Sequence, residues 1–293
     1  MPELPEVEVI RRELEPLVKG KTFATPVLLM PSTVQYPDPD LFAAALEGQT
    51  VKTLGRRGKY LLLILDQGIL VMHLRMTGNI IFSSIDDLPR ADRFLRVELP
   101  FTDGSMLQYS DMRRFGRLWL VKDLNELESL VLKNVGPDIY TEIDLKQFKK
   151  LLEKRGKRNL KALLLDQSCS AGMGNIYTDE CLHLCHLHPE QQAATLTVEE
   201  TEQLYNTIQQ VLEMGIEHGG TSFRDYRNAR GAIGDFQNKL NVYGRKGERC
   251  SCGELVAKTV VAGRGTYYCP CCQVKKESTV KKKSKKRETT SNA

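Results

Sequence analysis

No stretch of the 293-residue sequence is long and apolar enough to span a membrane. The start, Met1-Pro2-Glu3-Leu4-Pro5-Glu6, lacks the basic residues and apolar core of a secretory signal. No membrane-spanning helix is therefore expected, and a cytoplasmic or nucleoid location is the expectation. The chain also lacks a charge excess in its body. Its formal net charge is +5, yet residues 274–293 carry eight Lys or Arg against two Glu, so this tail's +6 leaves −1 for the rest. Overall charge thus does not announce a nucleic-acid partner, and a basic site in the body must come from local clustering. A chain without an export signal is not expected to hold disulfides. Of its eight cysteines, five crowd into residues 250–272, a bias that reads as metal binding.

What is present falls into successive patterns. Pro2 and Pro5 sit where a helix start tolerates proline, and Glu3, Glu6 and Glu8 suit the positive end of its dipole. Val7, Ile10, Leu14 and Leu17 then form one apolar stripe, which Gly20 ends. Tyr60–Leu65 and Ile69–Leu74 are apolar runs joined by the turn Asp66-Gln67-Gly68. Asn79–Ser83, Phe94–Leu99, Met106–Ser110 and Leu118–Val121 read as further strands, so an antiparallel sandwich or barrel is predicted. The pattern changes at Gly136-Pro137-Asp138 and turns helical from about residue 145. Leu160–Gln167 and Tyr177–Leu187 read as short helices around a glycine-rich turn. Thr197 and Glu200 form a capping box for a long helix with Val198, Leu204, Ile208, Val211, Leu212 and Ile216 on its apolar face. Residues 219–235 read as a polar, glycine-rich loop, 236–273 as a metal-stapled hairpin, and the lysine-rich tail as disordered.

Four motifs carry chemistry. If Met1 is removed, Pro2 offers a secondary amine; an α-amino group titrates near ~8, so part of it is unprotonated at neutral pH and can attack a sugar C1′. Most prolines at such a position merely begin a helix. Cys250-Ser251-Cys252 and Cys269-Pro270-Cys271-Cys272 supply two cysteine pairs, and Cys250, Cys252, Cys269 and Cys272 suit one structural Zn²⁺, though the first pair is one residue tighter than usual. Ala171–Tyr177 is a glycine-rich turn opening onto a helix, able to hold a phosphate or simply to connect two helices. The lysine and arginines of Arg56-Arg57-Gly58-Lys59 and of Asp111-Met112-Arg113-Arg114-Phe115-Gly116 offer phosphate contacts, and Phe115 and Met76 offer apolar wedges between bases. Basic loop residues are most often only solvated surface. Cys181, Cys185, His183, His186 and His188 mimic a second metal site, but helical spacing places His183 on a different face from the two cysteines, and a structural reading is preferred.

Together the strings MPELPEVEVIRREL, RRGKYLL, HLRMTG, DMRRFG, LLDQ…AGMGNIYTDE, GGTSFRDY, FQNKLNVYGR and GRGTYYCPCCQ resemble the bacterial formamidopyrimidine-DNA glycosylases, collinearly from residue 1 to about 273. The resemblance implies an α+β fold. It would have an N-terminal antiparallel β-sandwich with flanking helices (1–135), a helix–two-turn–helix domain (136–235), a zinc-finger hairpin (236–273) and the tail (274–293). It implies a monomer acting on double-stranded DNA that contains oxidised purines or abasic sites, with no membrane partner. Pro2 would be the Schiff-base nucleophile, Glu3 the proton donor and Glu6 a second carboxylate that helps position the site. Lys59, Asn175 and Arg264 would grip phosphates, with Lys59 and Arg264 also assisting catalysis. Met76, Arg113 and Phe115 would fill the hole left by the flipped nucleotide, and loop 219–235 would close over the flipped base. The chain departs from the family in the shortened first cysteine pair, in Ser170 where valine is usual, and in the tail, which could add salt-sensitive DNA affinity.

Three rivals are weighed. Endonuclease VIII shares the proline and the helix–two-turn–helix, but Leu4–Glu8 and the complete Met76, Arg113, Phe115 set favour the purine enzyme. A non-catalytic DNA-binding module would not need Pro2 and Glu3. A zinc hydrolase needs an open metal position, which four cysteines do not leave.

Overall fold

The computed structural model describes residues 2–86, 92–223 and 225–276. Met1 and most of the lysine-rich tail, expected to be disordered, lie outside the described residues. Helix α1 (Leu4–Val18) begins after Glu3, so Pro2 precedes its cap and Pro5 occupies the first turn. Strands β1 (Val27–Leu28) and β2 (Val34–Tyr36) and helix α2 (Pro39–Leu46) follow. Then come β3 (Val51–Arg57), β4 (Tyr60–Leu65), β5 (Gly68–His73), β6 (Gly78–Ser83), β7 (Leu95–Pro100), β8 (Met106–Asp111) and β9 (Arg117–Val121).

These strands form a four-stranded sheet ordered β1-β7-β8-β6 and a five-stranded sheet ordered β2-β9-β5-β4-β3. Pairing is antiparallel except that the short edge strand β2 runs parallel to β9. Side chains alternate across a strand. Leu61, Leu63 and Leu65 of β4 therefore join Ile80, Val97, Leu99 and Leu107 of the other sheet in one core, while Leu62 packs with Ile69, Val71 and Leu127 on the far face. Burial on both faces explains why β4 is written Tyr-Leu-Leu-Leu-Ile-Leu rather than in alternation.

The second unit begins after the short helix α3 (Leu124–Glu126). It contains α4 (Leu145–Lys154), α5 (Leu160–Leu164), α6 (Asn175–Leu184) and α7 (Val198–Glu217), followed by a hairpin of β10 (Ala257–Val261) and β11 (Arg264–Tyr268). Leu204, Ile208, Val211, Leu212 and Ile216 of α7 are buried as expected. Val198 is not: it is 61% exposed, because the first residue after the Thr197 cap lies beyond the packed face. Cys181 and Cys185 sit in this helical core.

Helix α1 joins the two units. Val7, Ile10, Leu14 and Val18 face the sheet core, whereas Leu4 and Val9 enter the helical core. The single stripe expected from sequence is thus two stripes on a helix clasped from both sides. That double packing buries the chain's N-terminal segment, including Glu3 and Glu6.

Candidate active site and nucleic-acid interface

Glu3 and Glu6 lie where α1 meets the start of α6. The Glu3 amide donates to the Glu6 carboxylate at 2.7 Å. The Glu3 carboxylate accepts from the backbone N–H groups of Ile176 (3.1 Å) and Tyr177 (3.5 Å). These unsatisfied donors at a helix N-terminus carry partial positive charge, so they hold an anion. Glu6 accepts from the Tyr177 hydroxyl (2.6 Å) and the Thr221 amide (2.7 Å). Burial, and secondarily the neighbouring Glu3 charge, raise the Glu6 carboxyl above the usual carboxylate range. The approach is possible only because Gly174 has no side chain: a Cβ there would lie 2.1 Å from Glu3 Cδ.

Glu3 opens onto a cavity of about 350 Å³ that Lys59, His73, Met76, Asn175, Tyr243 and Arg264 also line. Pro2, itself buried, is bonded directly to Glu3. Lys59 follows the tight β3–β4 turn, where Gly58 has φ +55° and packs against Ala171. Burial lowers the Lys59 ammonium, with Glu3 and Glu6 opposing and the Arg264 charge assisting. His73 is pushed down to about 3 by burial, then by the charges of Arg75 and Lys59. Its Nδ1 accepts from the Arg75 backbone amide at 3.0 Å, so a neutral ring is what the site accommodates.

A second cavity, of about 370 Å³, is lined by Arg75, Met76, Phe115, Arg117 and Arg264. Buried Asp111 holds the loop above it, accepting from the amides of Arg113 (3.1 Å) and Gly116 (2.7 Å) and from the Thr77 hydroxyl. The Arg113 guanidinium lies over the Phe115 ring at 4.8 Å. The structure thus brings Met76, Arg113 and Phe115 to one rim, and Glu3, Lys59, Asn175 and Arg264 to the adjoining cavity; Pro2 is buried beside Glu3 and is not among the residues lining it.

Two basic residues expected as phosphate contacts are corrected. The Arg56 side chain is 3% exposed and pairs with Glu8 (3.0 Å) and Asp138. Arg57 pairs with Glu142 at 2.7 Å. Both are committed to joining the sheet unit to the helical unit. Sequence reasoning gave no role to His73, Tyr243 or Asp111, although each stands inside or beside a quoted string; the cavities they border are assembled from segments remote in sequence.

The hairpin is mounted on α5 and α6. The Gly265 carbonyl, beside Arg264, accepts from Asn175 Nδ2 (2.9 Å) and Lys161 Nζ (3.2 Å). Lys161 also pairs with buried Asp179 at 2.7 Å, and Asp179 accepts from the Tyr267 amide at 2.9 Å. Glu180 accepts from the amides of Asn241, Val242 and Tyr243 at 2.7–2.9 Å. At the hairpin's base the Sγ atoms of Cys250, Cys252, Cys269 and Cys272 lie within 4.8 Å of one another, despite the short first pair. The 3.9 Å (Cys250–Cys272) and 3.5 Å (Cys252–Cys269) separations bracket the ~3.8 Å edge of a tetrahedron with ~2.3 Å metal–sulfur bonds. Among the described residues this is the one cluster able to hold a metal ion, and Cys181 and Cys185 take no part. Nor is any described helix long and apolar enough to cross a membrane.

Residues 1–118 match the formamidopyrimidine-DNA glycosylase N-terminal domain, and residues 135–227 the H2TH domain of the same enzymes. A Bacillus licheniformis formamidopyrimidine-DNA glycosylase is 44% identical over 277 residues, covering 94% of this chain and 100% of that protein. An Enterococcus faecalis formamidopyrimidine-DNA glycosylase is 43% identical over 275 residues, covering 93% of this chain and 97% of its own length. A Lactococcus lactis protein of that name, solved with abasic-site DNA, superposes with a TM-score of 0.85 at 38% identity, covering 94% of this chain and all of its own.

Proposed function

Because this chain belongs to the formamidopyrimidine-DNA glycosylase family, we propose that it excises oxidised purines from duplex DNA and then cleaves the strand, with the Pro2 amine as nucleophile. The observation that carries this reading is the placement of a buried carboxylate, Glu3, against a helix N-terminus and next to Pro2, in a cavity shared with buried Lys59. At about 350 Å³ the cavity has room for one extruded nucleotide but not for a duplex. A base inside a duplex must be turned out to be reached. Lys59, Asn175 and Arg264 would hold the flanking phosphates, and Met76, Arg113 and Phe115 would fill the gap in the stack. The loop 219–235 would cover the flipped base.

The chemistry then follows. The lone pair of the Pro2 nitrogen forms a bond to C1′ as the C1′–N9 bond breaks, and the base leaves with its bonding pair and a proton. The Glu3 carboxylate takes the N–H proton that the bonded Pro2 nitrogen sheds and passes it to O4′ as the sugar ring opens, leaving an iminium between Pro2 and C1′. That cation acidifies C2′; loss of a C2′ proton expels the 3′-phosphate, and a second elimination expels the 5′-phosphate. Water hydrolyses the iminium and frees Pro2. No redox step occurs. The lowered affinity of Lys59 for its proton suits it to exchange protons within this site.

The cysteine cluster supports one structural Zn²⁺, bound by Cys250, Cys252, Cys269 and Cys272, which would fix the hairpin that carries Arg264. The enzyme would act as a monomer on cytoplasmic, nucleoid DNA.

Borohydride reduction in the presence of 8-oxoguanine duplex should trap a covalent protein–DNA adduct, and Pro2→Gly should lower excision and nicking while retaining duplex binding. An intact chain that cuts at full rate with Met1 still attached, by mass spectrometry, would refute the nucleophile. Parallel reactions on thymine-glycol duplex separate a purine from a pyrimidine preference.

A further inference from the structure

Helix α6 presents Asn175, Asp179 and His183 at four-residue intervals, a single stripe along one face. Each meets the hairpin unit. Asn175 donates to the Gly265 carbonyl, Asp179 accepts from the Tyr267 amide, and His183 Nε2 lies 3.3 Å from Cys250 Sγ. Read alone, His183 belonged to a decoy cluster with Cys181 and Cys185. In the fold it leaves that group and touches the metal-site cysteines instead.

The ring's surroundings decide which nitrogen carries the proton. His183 is 5% exposed, and its Nδ1 has no hydrogen-bond partner among the described residues. A neutral imidazole has one N–H. With the proton on Nε2, the N–H points at sulfur and only a bare ring nitrogen is unsatisfied. With it on Nδ1, an N–H would be buried without a partner while the Nε2 lone pair faced a thiolate. The first arrangement leaves the smaller desolvation cost.

We propose that His183 donates an N–H···S hydrogen bond to the Cys250 thiolate, holding that ligand on the metal and registering the cysteine cluster against α6. This rests on the reading of the cluster as a zinc site. Four thiolates around Zn²⁺ leave a net charge of about −2. A donor to one sulfur draws off part of that charge and fixes the direction in which that sulfur faces the metal. Cys250 has particular need of it, because the Cys-Ser-Cys pair has one intervening residue where two are usual. The same stripe carries Asn175, so the metal site and the proposed phosphate clamp share one rigid support.

The test uses the zinc-loaded full chain and two variants. His183→Phe keeps a ring of similar size and removes the donor. His183→Gln keeps an N–H near the position of Nε2. Zinc release into excess chromogenic chelator is timed, and the cobalt(II)-substituted proteins are compared by absorption. His183→Phe should release zinc about tenfold faster, with its thiolate-to-cobalt band moved to lower energy; His183→Gln should restore both. Should the Phe variant not fold, His183→Leu makes the same comparison. Equal release rates and identical cobalt bands in all three proteins overturn the proposal. So does a wild-type cobalt spectrum of three sulfurs and one nitrogen that becomes four sulfurs in His183→Phe, since His183 would then be a ligand. A protein that purifies without metal and takes up neither zinc nor cobalt instead refutes the zinc reading itself.

Discussion

The two cavities that share Arg75, Met76 and Arg264 are built on opposite terms. In the inner one, Glu3 is 1% exposed and Lys59 8%, and the Glu3 carboxylate is held by backbone donors from the other folding unit. In the outer one, Phe115 is 46% exposed, Arg113 is exposed, and their loop hangs from the single buried carboxylate of Asp111. The contrast separates two physical demands. Groups that handle charge at a reacting carbon gain from being fixed and dry beforehand. Groups that enter a base stack must stand in water until the stack covers them. Stability and reactivity should therefore respond to substitutions at Glu3 and the groups that hold it in the inner cavity, and DNA affinity to those at the outer rim and at the proposed phosphate contacts Lys59, Asn175 and Arg264.

The largest expected effect is at Glu3. Glu3→Gln keeps the side chain's length but removes the exchangeable proton and the charge facing α6. Excision of 8-oxoguanine should fall by about 10³-fold, within the range for loss of a general acid, while duplex affinity measured by fluorescence anisotropy changes by less than about tenfold. An equal fall in affinity would erase the distinction between the cavities.

Gly174→Ala tests the same wall through packing alone. The new methyl would sit 2.1 Å from Glu3 Cδ, so the carboxylate or α6 must shift. Displacing a reacting group by even about 1 Å costs roughly 10²-fold in rate, and the overpacking itself about 1–3 kcal/mol of stability. Single-turnover excision and urea denaturation measure the two. Wild-type rate with wild-type stability would mean that Glu3 is not held where the structure puts it.

Acid should also act on the inner cavity. The unfolded chain takes a proton on His73 below about 6.5, whereas the folded protein refuses it until about 3. The His73 contribution is thus fully present above pH ~6.5 and is lost as the pH falls from there towards 3, at about 1.4 kcal/mol per pH unit. Between pH 7 and pH 5, wild type should lose about 2 kcal/mol more stability than His73→Gln in urea titrations. Parallel losses in the two proteins would show that His73 titrates normally.

Much of this architecture could be read in the sequence because its signals are local. The β4–β5 hairpin, the Thr197 cap and the cysteine pairs each declare themselves within a few residues. The strings shared with the glycosylases also contain Glu3, Lys59 and Arg264, which the fold brings to one cavity. What stayed hidden depends on partners far along the chain. Arg56 reads as a loose phosphate contact until Glu8 and Asp138 are brought to it. Helix α1 reads as one-sided because periodicity cannot reveal that a second core will cover Leu4 and Val9. His183 reads as a core residue because its sulfur partner lies 67 positions away.

The outer cavity supplies the smallest expected effect and the sharpest test of the contrast. Phe115→Ala removes a ring that is already half in water and packed against Arg113, so unfolding free energy should change by less than about 0.5 kcal/mol, as for surface substitutions generally. On DNA the same ring would lie against a base, where an aromatic contact contributes roughly 1–3 kcal/mol. Affinity for lesion duplex should therefore fall about tenfold, with little change in the rate of borohydride trapping once the complex is saturated. Asp111→Asn should give the same pattern with an added loss of stability, since Asp111 is 1% exposed and its carboxylate collects the donors that shape the loop. If Phe115→Ala instead slowed trapping at saturation while leaving affinity intact, the ring would belong to the reacting wall, and the division between a dry inner cavity and a wet outer rim would be wrong.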